Sequence, residues 1–223
     1  MKGASRLDHL IFDLDGTLVD SAESIRSALI ESCKVNNIEP MIPISEIKIG
    51  PMLDEIISSI LPYEESSRHD LFKKTFVELY DRKFSKECMV YPGMIDALSQ
   101  VAINTNLFLV TNKRIIPTVK ILRHHSIAQF FKAIIGCDSV ENNGCSKAKS
   151  INYLINKYGL SKSDCTYFGD TEGDAAACYE VGIKFVYVSW GYGDAKEMAN
   201  LSCLTMNGWD ELCGFIGKVQ LAE

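Results

Sequence analysis

The chain of 223 residues is 47% hydrophobic and 23% charged, which is typical of a folded protein with a sizeable core and excludes extensive disorder. Its formal net charge of -6 disfavours nucleic acid and anionic membrane surfaces as partners. No apolar run reaches transmembrane length, and the opening MKGASRLDH lacks the apolar centre of a secretory signal. We therefore expect a cytoplasmic protein that does not associate with a membrane.

The eight cysteines are scattered along the chain. No two have the C-x-x-C spacing of a zinc or redox site, and none has the arginine six positions later that a cysteine phosphatase needs. Several lie in apolar runs. Reduced, buried thiols fit this pattern, so cysteine catalysis and zinc binding are set aside.

The first predicted strand runs directly into a cluster of carboxylates, in the stretch LIFDLDGTLVDS from Leu10 to Ser21. Like charges in a poorly solvated site are costly unless a cation or a shared proton offsets them. Asp20 and Ser21 fit a helix cap. Asp13 does not, because it stands where the apolar run should still be packed. The cluster therefore indicates a functional site.

Further apolar runs follow, separated by helical patterns that end at two expected C-caps, Gly159 and Gly182. Continuous apolar character, without alternation, is what a parallel sheet covered on both faces requires. The sequence therefore predicts a doubly wound, Rossmann-like α/β core. The predicted strands are HLIFD (9–13), LFLVT (107–111), KAIIG (132–136), CTYFG (165–169) and KFVYVS (184–189).

One long interval breaks this alternation. It holds helical patterns, among them ISEIKI from residue 44, and no convincing strand, and it is far too long to be a single crossover. We interpret residues 18–88 as an inserted all-helical cap and residues 1–17 and 89–223 as the α/β core. The insertion leaves the sheet at the carboxyl end of the first strand, where open α/β sheets bind ligands, so the cap would overhang that crevice.

Four motifs occur in the order of a known family: DLDGTLVD from residue 13, VTNK from residue 110, a lysine that opens a helix, and GDTEGD from residue 169. Together they resemble the haloacid dehalogenase-like hydrolase superfamily over essentially the whole chain. The helical insertion resembles that family's first type of cap. VTNK and WGYG (from residue 190) resemble its phosphoglycolate-phosphatase-like members.

The first motif supplies the residue types that phosphoryl transfer needs, an in-line nucleophile and a proton for the leaving alcohol. Asp13 is the expected nucleophile, which would form an aspartyl-phosphate. Asp15 lies two residues on, on the same side of an extended chain, and is the expected general acid and base. Gly16 would permit the tight turn, and Thr17 would brace the loop.

Magnesium is the expected cofactor. Side-chain oxygens of Asp13 and Asp170, with the main-chain carbonyl of Asp15, would form the sparse hard-oxygen site that Mg²⁺ prefers. Asp174, one helical turn after Asp170, is assigned a position outside the direct ligands, where it holds water or the catalytic lysine. A purely structural role for Asp174, at a helix N-terminus, fits equally well.

The phosphate group also needs donors and a cation. Thr111 is the expected hydrogen-bond donor by resemblance, aided by the main-chain amide of Asn112. Lys147 is the expected catalytic lysine, because KAKSI matches the K-x-x-x-I form in which the family opens a helix, and a lysine suits this duty as a compact point charge. Lys149 is the alternative, and the proline that many family members carry after their lysine is absent.

The cap is expected to select the substrate by closing over the crevice. KIGPML (from residue 48) resembles the family's specificity loop, so Gly50 is expected to face the substrate, while Leu14 and Lys113 approach it from the core. Three basic residues are weaker candidates, because such residues are commonly exposed, namely Lys48, Arg26 and Arg114. We interpret Tyr63 and Tyr80 as part of the cap core.

The combined pattern predicts a magnesium-dependent phosphatase for a small phosphorylated metabolite, with phosphoglycolate as the default substrate by resemblance alone. Asp15 argues against the dehalogenase branch, which lacks that acid. A sugar-phosphate mutase of the β-phosphoglucomutase type stays open as an alternative. A phospho-acceptor signalling or binding module is a more distant one. We expect a monomer or a homodimer.

Overall fold

The computed structural model describes residues 9–61, 66–139, 146–201 and 203–219. The strands are β1 His9–Phe12, β2 Val19–Asp20, β3 Met89–Val90, β4 Asn106–Val110, β5 Phe131–Ile135, β6 Cys165–Gly169, β7 Lys184–Val188 and β8 Leu204–Met206. Six of them form a parallel sheet in the order β5-β4-β1-β6-β7-β8, and β2 and β3 form a separate antiparallel ribbon.

The helices are α1 Ala22–Asn36, α2 Leu53–Ile60, α3 Ser66–Arg82, α4 Met94–Val101, α5 Ile115–His124, α6 Lys147–Tyr158, α7 Glu172–Val181, α8 Ala195–Ala199 and α9 Leu212–Val219. α6 and α7 end at Gly159 and Gly182, both in the left-handed conformation that favours glycine at a C-cap. Both predicted helix ends are therefore confirmed.

Helices cover both faces of the sheet. One hydrophobic cluster joins the strands to α4, α5 and α9, and another joins them to α6 and α7. In β1, Phe12 belongs to the first cluster and Ile11 to the second, because successive side chains of a strand point to opposite faces. The apolar runs thus reflect burial on two sides, and the predicted doubly wound parallel sheet is confirmed.

The central strands end at the same level. Phe12 of β1 pairs with Leu109 of β4 and with Phe168 of β6. The chain beyond these positions therefore places Asp13, Thr111 and Asp170 at one edge of the sheet, where parallel sheets bind their ligands.

The inserted helices α1, α2 and α3 have a hydrophobic cluster of their own. Its buried members include Leu29 of α1, Ile57 and Ile60 of α2, and Phe72 and Phe76 of α3. Apolar side chains on one face of each helix explain this packing. The cap is therefore a compact helical unit in the structure, while its limits at residues 18 and 88 stay a prediction.

The structure differs from the sequence prediction at three places. β2, inside the predicted strand-free interval, pairs with β3 where the chain leaves and re-enters the core. β8 is a sixth parallel strand that was not predicted. The helical pattern ISEIKI gives only a short 3₁₀ turn at Ile44–Glu46. The strands were missed because two or three residues are too short to show an apolar run. The 3₁₀ turn does not extend into a helix because Gly50, at φ +118°, and then Pro51 follow it and disfavour a helix.

None of the described helices combines the length and the apolar composition that a bilayer-spanning helix needs. The seven cysteines within the described residues are free thiols. Four of them are buried, namely Cys33, Cys88, Cys165 and Cys178. Tyr63 and Cys145 lie outside the described residues.

Candidate active site

Asp13 is a buried carboxylate at the end of β1. Its Oδ2 accepts a hydrogen bond of 2.9 Å from Lys147 Nζ, while Oδ1 is buried and has no hydrogen-bond partner among the described residues. Burial raises the pKa of Asp13 to about 6, although Lys147 acts against this shift. A buried, unpartnered carboxylate oxygen is costly, so Oδ1 indicates a place for a ligand.

Asp170 is fully buried at the end of β6. Its Oδ1 accepts from the Thr17 hydroxyl at 3.2 Å, and its Oδ2 accepts from the Tyr192 amide at 2.7 Å. Burial, with Asp174 and Asp13 nearby, holds the pKa of Asp170 well above its usual range. Thr17, which was expected to brace the loop, thus contacts the predicted metal ligand directly.

Lys147 begins α6 and lies between two acids. Its Nζ donates to Asp13 and also to Asp174 Oδ1. Burial lowers the pKa of Lys147, but Asp13 and Asp174 outweigh burial and the net direction is upward. Lys149, the alternative, is exposed on the same helix. Of the two lysines, the structure brings Lys147 into the cluster.

Asp174 combines the two roles that its sequence position allowed. Its Oδ2 accepts from the Thr171 amide at 3.0 Å and from the Thr171 hydroxyl at 2.7 Å. The Asp174 amide donates to the Thr171 hydroxyl oxygen at 3.3 Å, which completes a capping box at the start of α7. Asp174 Oδ1 holds Lys147. Helix capping thus fixes a carboxylate that also positions the buried lysine.

Carboxylate oxygens of Asp13, Asp170 and Asp174 all lie within 4.8 Å of one another. Three buried carboxylates so close repel one another unless a cation offsets the charge, and Lys147 supplies only one positive charge. Hard oxygen ligands around the unpartnered Asp13 Oδ1 fit a divalent cation of the magnesium type. Asp174, placed outside the direct ligands from the sequence, is close enough to be one.

Asp15 has a donor on each side-chain oxygen. Lys113 Nζ lies 3.0 Å from Oδ2, and the Ser21 hydroxyl donates to Oδ1 at 2.5 Å. Ser21 occupies the N-cap position of α1, but its side chain makes no cap hydrogen bond. Instead the Asp20 carboxylate accepts from the Ala22 amide at 3.2 Å. The predicted cap is thus served by Asp20, and Ser21 serves Asp15.

The turn after Asp15 is packed against Asp170. Gly16 has φ +77°, and a Cβ there would overlap the Asp170 carboxylate and approach the Tyr192 ring. The Tyr192 hydroxyl accepts from the Ser21 amide at 2.7 Å and donates to Asp20 at 3.0 Å. Sequence reasoning missed Tyr192, although the motif WGYG that contains it was a signal. Tyr192 thus joins Asp170, through its amide, to the segment at Asp20 and Ser21, through its hydroxyl.

The predicted phosphate contacts lie in different surroundings. Thr111 is buried, and its hydroxyl accepts from the Lys113 amide at 3.2 Å. Asn112 is half-buried beside it. Lys113 is half-buried and lies between Asp15 and Tyr80, whose hydroxyl accepts from Lys113 Nζ at 3.0 Å. The Leu14 side chain belongs to the hydrophobic core, so only its main chain is available to a phosphate.

Two cavities meet at the cap loop, residues 48–52, which precedes α2. The smaller one, of about 240 Å³, is lined by Asp13, Asp15 and Lys113 of the core and by side chains of the cap. The larger one, of about 720 Å³, contains Arg26 and Lys48. Gly50 and Asn112 line both cavities. The smaller cavity is therefore the one that reaches the candidate nucleophile.

Comparison with known proteins agrees with this geometry. The sequence model of a family described as "Haloacid dehalogenase-like hydrolase" matches residues 10–188.

The chain belongs to the haloacid dehalogenase-like hydrolase family.

Its curated relatives include a 5'-nucleotidase of Pseudomonas aeruginosa, 27% identical over 201 residues that cover 87% of this chain and 88% of the relative. A phosphoglycolate phosphatase of Vibrio cholerae is 27% identical over 203 residues, which cover 86% and 88%.

Solved structures share the fold. A predicted phosphatase from Clostridium acetobutylicum aligns with a TM-score of 0.84 and 26% identity, covering 96% of this chain and all of that one (100%). A family member from Streptococcus pneumoniae aligns with a TM-score of 0.84 and 23% identity, also covering 96% and 100%. The predicted family, fold class and hydrolase class are thereby confirmed. The roles of individual residues stay predictions.

Proposed function

We propose that the chain is a magnesium-dependent phosphatase that hydrolyses a small phosphomonoester through an aspartyl-phosphate on Asp13. The observation that carries this proposal is the buried Asp13 Oδ1, which has no partner among the described residues and lies in a cluster of three carboxylates. The family match and the phosphatases among the relatives support the same reaction class.

The first step transfers the phosphoryl group to Asp13. A carboxylate oxygen of Asp13 bonds to phosphorus, the bond from phosphorus to the leaving oxygen breaks, and its electron pair stays on that oxygen. Asp15, which lines the same cavity, gives a proton to the leaving alcohol. Lys147, which donates to Asp13 in the structure, holds the nucleophile in place.

The second step returns the enzyme to its starting state. Asp15 accepts a proton from water as the water oxygen bonds to phosphorus, and the bond between phosphorus and Asp13 breaks. Inorganic phosphate leaves, and the proton balance of Asp15 is restored over the two steps. Thr111 and the main-chain amide of Asn112 would bind phosphate oxygens from the β4 end.

A divalent cation would be held by Asp13 and Asp170, with the Asp15 carbonyl or Asp174 as a further oxygen ligand. When bound, it neutralises charge on the phosphate oxygens and on the carboxylates around it. Thr17 and the Tyr192 amide keep the Asp170 carboxylate oriented toward this position. Identification of the cation as Mg²⁺ rests on the all-oxygen donor set.

The substrate is proposed to be a small phosphorylated metabolite. Phosphoglycolate remains the prediction by resemblance, supported by the name of several relatives, while another relative is named a 5'-nucleotidase. These names differ in the leaving group, one carrying a carboxylate and the other a nucleoside. A cytoplasmic location and a monomeric or homodimeric state also stay predictions.

A panel of phosphomonoesters assayed for phosphate release with and without Mg²⁺ tests the proposal. We expect Mg²⁺-dependent release by the wild type and none by Asp13→Asn, which keeps the shape but loses the nucleophile. Equal release by the two proteins would refute the proposal. Conversion of a hexose 1-phosphate into its isomer without phosphate release would indicate the mutase alternative.

A further inference from the structure

The roof of the smaller cavity is apolar. Side chains of α1, the cap loop, α2 and α3 form this roof. Most of the apolar and aromatic side chains that line the cavity belong to the cap. Among them are Ile25, Ile49, Met52, Ile56, Phe76 and Tyr80. A leaving group that extends from the phosphate at Asp13 toward the cap therefore meets hydrocarbon.

Two aromatic rings provide a rigid part of this roof. Phe76 and Tyr80 lie one turn apart on α3 and are stacked, with ring centroids 5.5 Å apart and an interplanar angle of 11°. The hydroxyl of Tyr80 is already bound by Lys113. Phe76 has no polar group to offer, so this part of the roof suits an apolar or aromatic face.

The cations of this cavity are already paired with carboxylates. The pairs are Lys73 with Asp54 at 2.6 Å, Lys113 with Asp15 at 3.0 Å and Arg114 with Asp81 at 2.5 Å. The described lining holds these three cations and four acids, which are Asp13, Asp15, Asp54 and Asp138. An additional anionic group on the substrate would therefore lack an uncommitted cation.

We infer that this phosphatase prefers phosphomonoesters whose leaving group is uncharged and apolar over those whose leaving group carries a carboxylate. The inference rests on the proposed function and specifies its substrate class, away from phosphoglycolate, which is the default substrate by resemblance alone. A carboxylate placed against the apolar roof would lose hydration without gaining an ion pair, which is costly. An uncharged ring or alkyl chain would instead bury apolar surface.

The cavity has room for a leaving group of about one ring. A volume of about 240 Å³ has room for roughly eight water molecules at about 30 Å³ each. Part of this space is taken by the phosphoryl group at Asp13. A benzyl group fits this description and has a carboxylated partner of nearly the same shape, which makes it a suitable probe.

The direct test compares matched substrates in the full chain with Mg²⁺. One pair is benzyl phosphate and 4-carboxybenzyl phosphate, and the other is 2-hydroxyethyl phosphate and phosphoglycolate. In each pair we expect a kcat/KM at least about tenfold higher for the uncharged member, with most of the difference in KM. Equal values, or a preference for the carboxylated members, would overturn the inference.

A charge variant tests the cause of the preference. Asp54→Asn removes the partner of Lys73 at the rim of the cavity. We therefore expect the ratio of kcat/KM for benzyl phosphate to kcat/KM for 4-carboxybenzyl phosphate to fall severalfold. Asp96→Asn is the matched control, since it removes the same charge from an exposed position of α4 outside the cavity lining. An unchanged preference in Asp54→Asn, or equal narrowing in both variants, would contradict the charge argument.

Failure of this inference is distinguishable from failure of the proposed function. Faster hydrolysis of the carboxylated substrates, if abolished by Asp13→Asn, would leave the phosphatase standing and reject only the preference. Absence of Asp13-dependent hydrolysis for all four substrates would reject the preference together with the proposed function.

Discussion

Tyr80 of the cap and Asp15 of the core are joined by one ammonium group. Lys113 Nζ lies 3.0 Å from the Tyr80 hydroxyl and 3.0 Å from Asp15 Oδ2, and it also lies 4.6 Å from the centre of the Tyr80 ring. Burial lowers the pKa of Lys113, but Asp15 and Tyr80 outweigh burial and raise it overall. A charged Lys113 thus connects the cap to the proposed acid and base.

This connection predicts a large effect of Lys113→Met on catalysis. The variant removes the cation that holds Asp15, so kcat/KM should fall by about 100-fold or more, the scale of general acid–base catalysis. Tyr80→Phe keeps the ring and removes only the hydroxyl, so its loss should stay below about tenfold. Steady-state kinetics on folded variants measures both. Wild-type kcat/KM in Lys113→Met would contradict the role of the pair.

The two candidate lysines predict different outcomes. Lys147→Met leaves Asp13 and Asp174 buried without their shared cation, a change that costs about 3–5 kcal/mol of unfolding free energy for buried pairs. Activity should fall at least about 100-fold. Lys149→Met, on the exposed side of the same helix, should keep wild-type activity and stability. Denaturant unfolding in EDTA and kinetics in Mg²⁺ test the two variants, and a larger loss in Lys149→Met would reverse the assignment.

The raised pKa values predict that Mg²⁺ stabilises the protein more at high pH than at low pH. Without metal, the pKa of Asp13 is about 6, above the ordinary value of 3.8, and that of Asp170 is raised in the same direction. A raised carboxyl pKa contributes stability that is present below about pH 4 and is lost as the pH rises through the folded-state pKa. Mg²⁺ offsets the repulsion between these carboxylates only at pH values at which the carboxylates are ionised.

Thermal unfolding with Mg²⁺ and with EDTA at pH 5 and pH 8 measures this dependence. The upward shift in Tm caused by Mg²⁺ should be larger at pH 8. Asp13→Asn should reduce the difference between the two pH values, because one of the titrating ligands is gone. A shift of the same size at both pH values would argue against these acids as the metal ligands.

Two glycines with left-handed backbones predict different effects of substitution by alanine. Gly16 and Gly159 have φ of +77° and +62°, so Gly→Ala should cost about 1 kcal/mol of stability at each from backbone conformation alone. A Cβ at Gly159 meets nothing within 4 Å, whereas one at Gly16 overlaps the Asp170 carboxylate. Gly16→Ala should therefore also abolish most activity and weaken Mg²⁺ binding. Equal activity of the two variants would contradict the close packing at Gly16.

Much of the fold was predictable because local patterns determine it. The buried strands β1 and β6 carry apolar runs, and Gly159 and Gly182 end the helices that precede and follow β6. Parallel strands bring their carboxyl ends to one edge, which places Asp13 and Asp170 together although they are far apart in the sequence. These features follow from period, burial and turn chemistry.

Other contacts were not predictable because they depend on tertiary packing. Tyr192 reaches the Ser21 amide 171 positions away, and no local pattern specifies that contact. Ser21 resembled a helix cap, but the approach of Asp15 gave its hydroxyl a different partner. Tyr80 was interpreted as cap core, and it is buried there, yet its hydroxyl also binds Lys113. Where a side chain can take either of two roles, only the assembled fold determines which one it takes.

Calorimetric titration with Mg²⁺ tests most directly whether Asp13 and Asp170 share one divalent ion. The wild type should bind one Mg²⁺ per chain, and Asp13→Asn and Asp170→Asn should each weaken binding by about tenfold or more, the scale seen when metal-site groups are removed. Asp96→Asn, an exposed acid on α4, is the control and should bind as the wild type does. Wild-type affinity in Asp170→Asn would contradict the shared site.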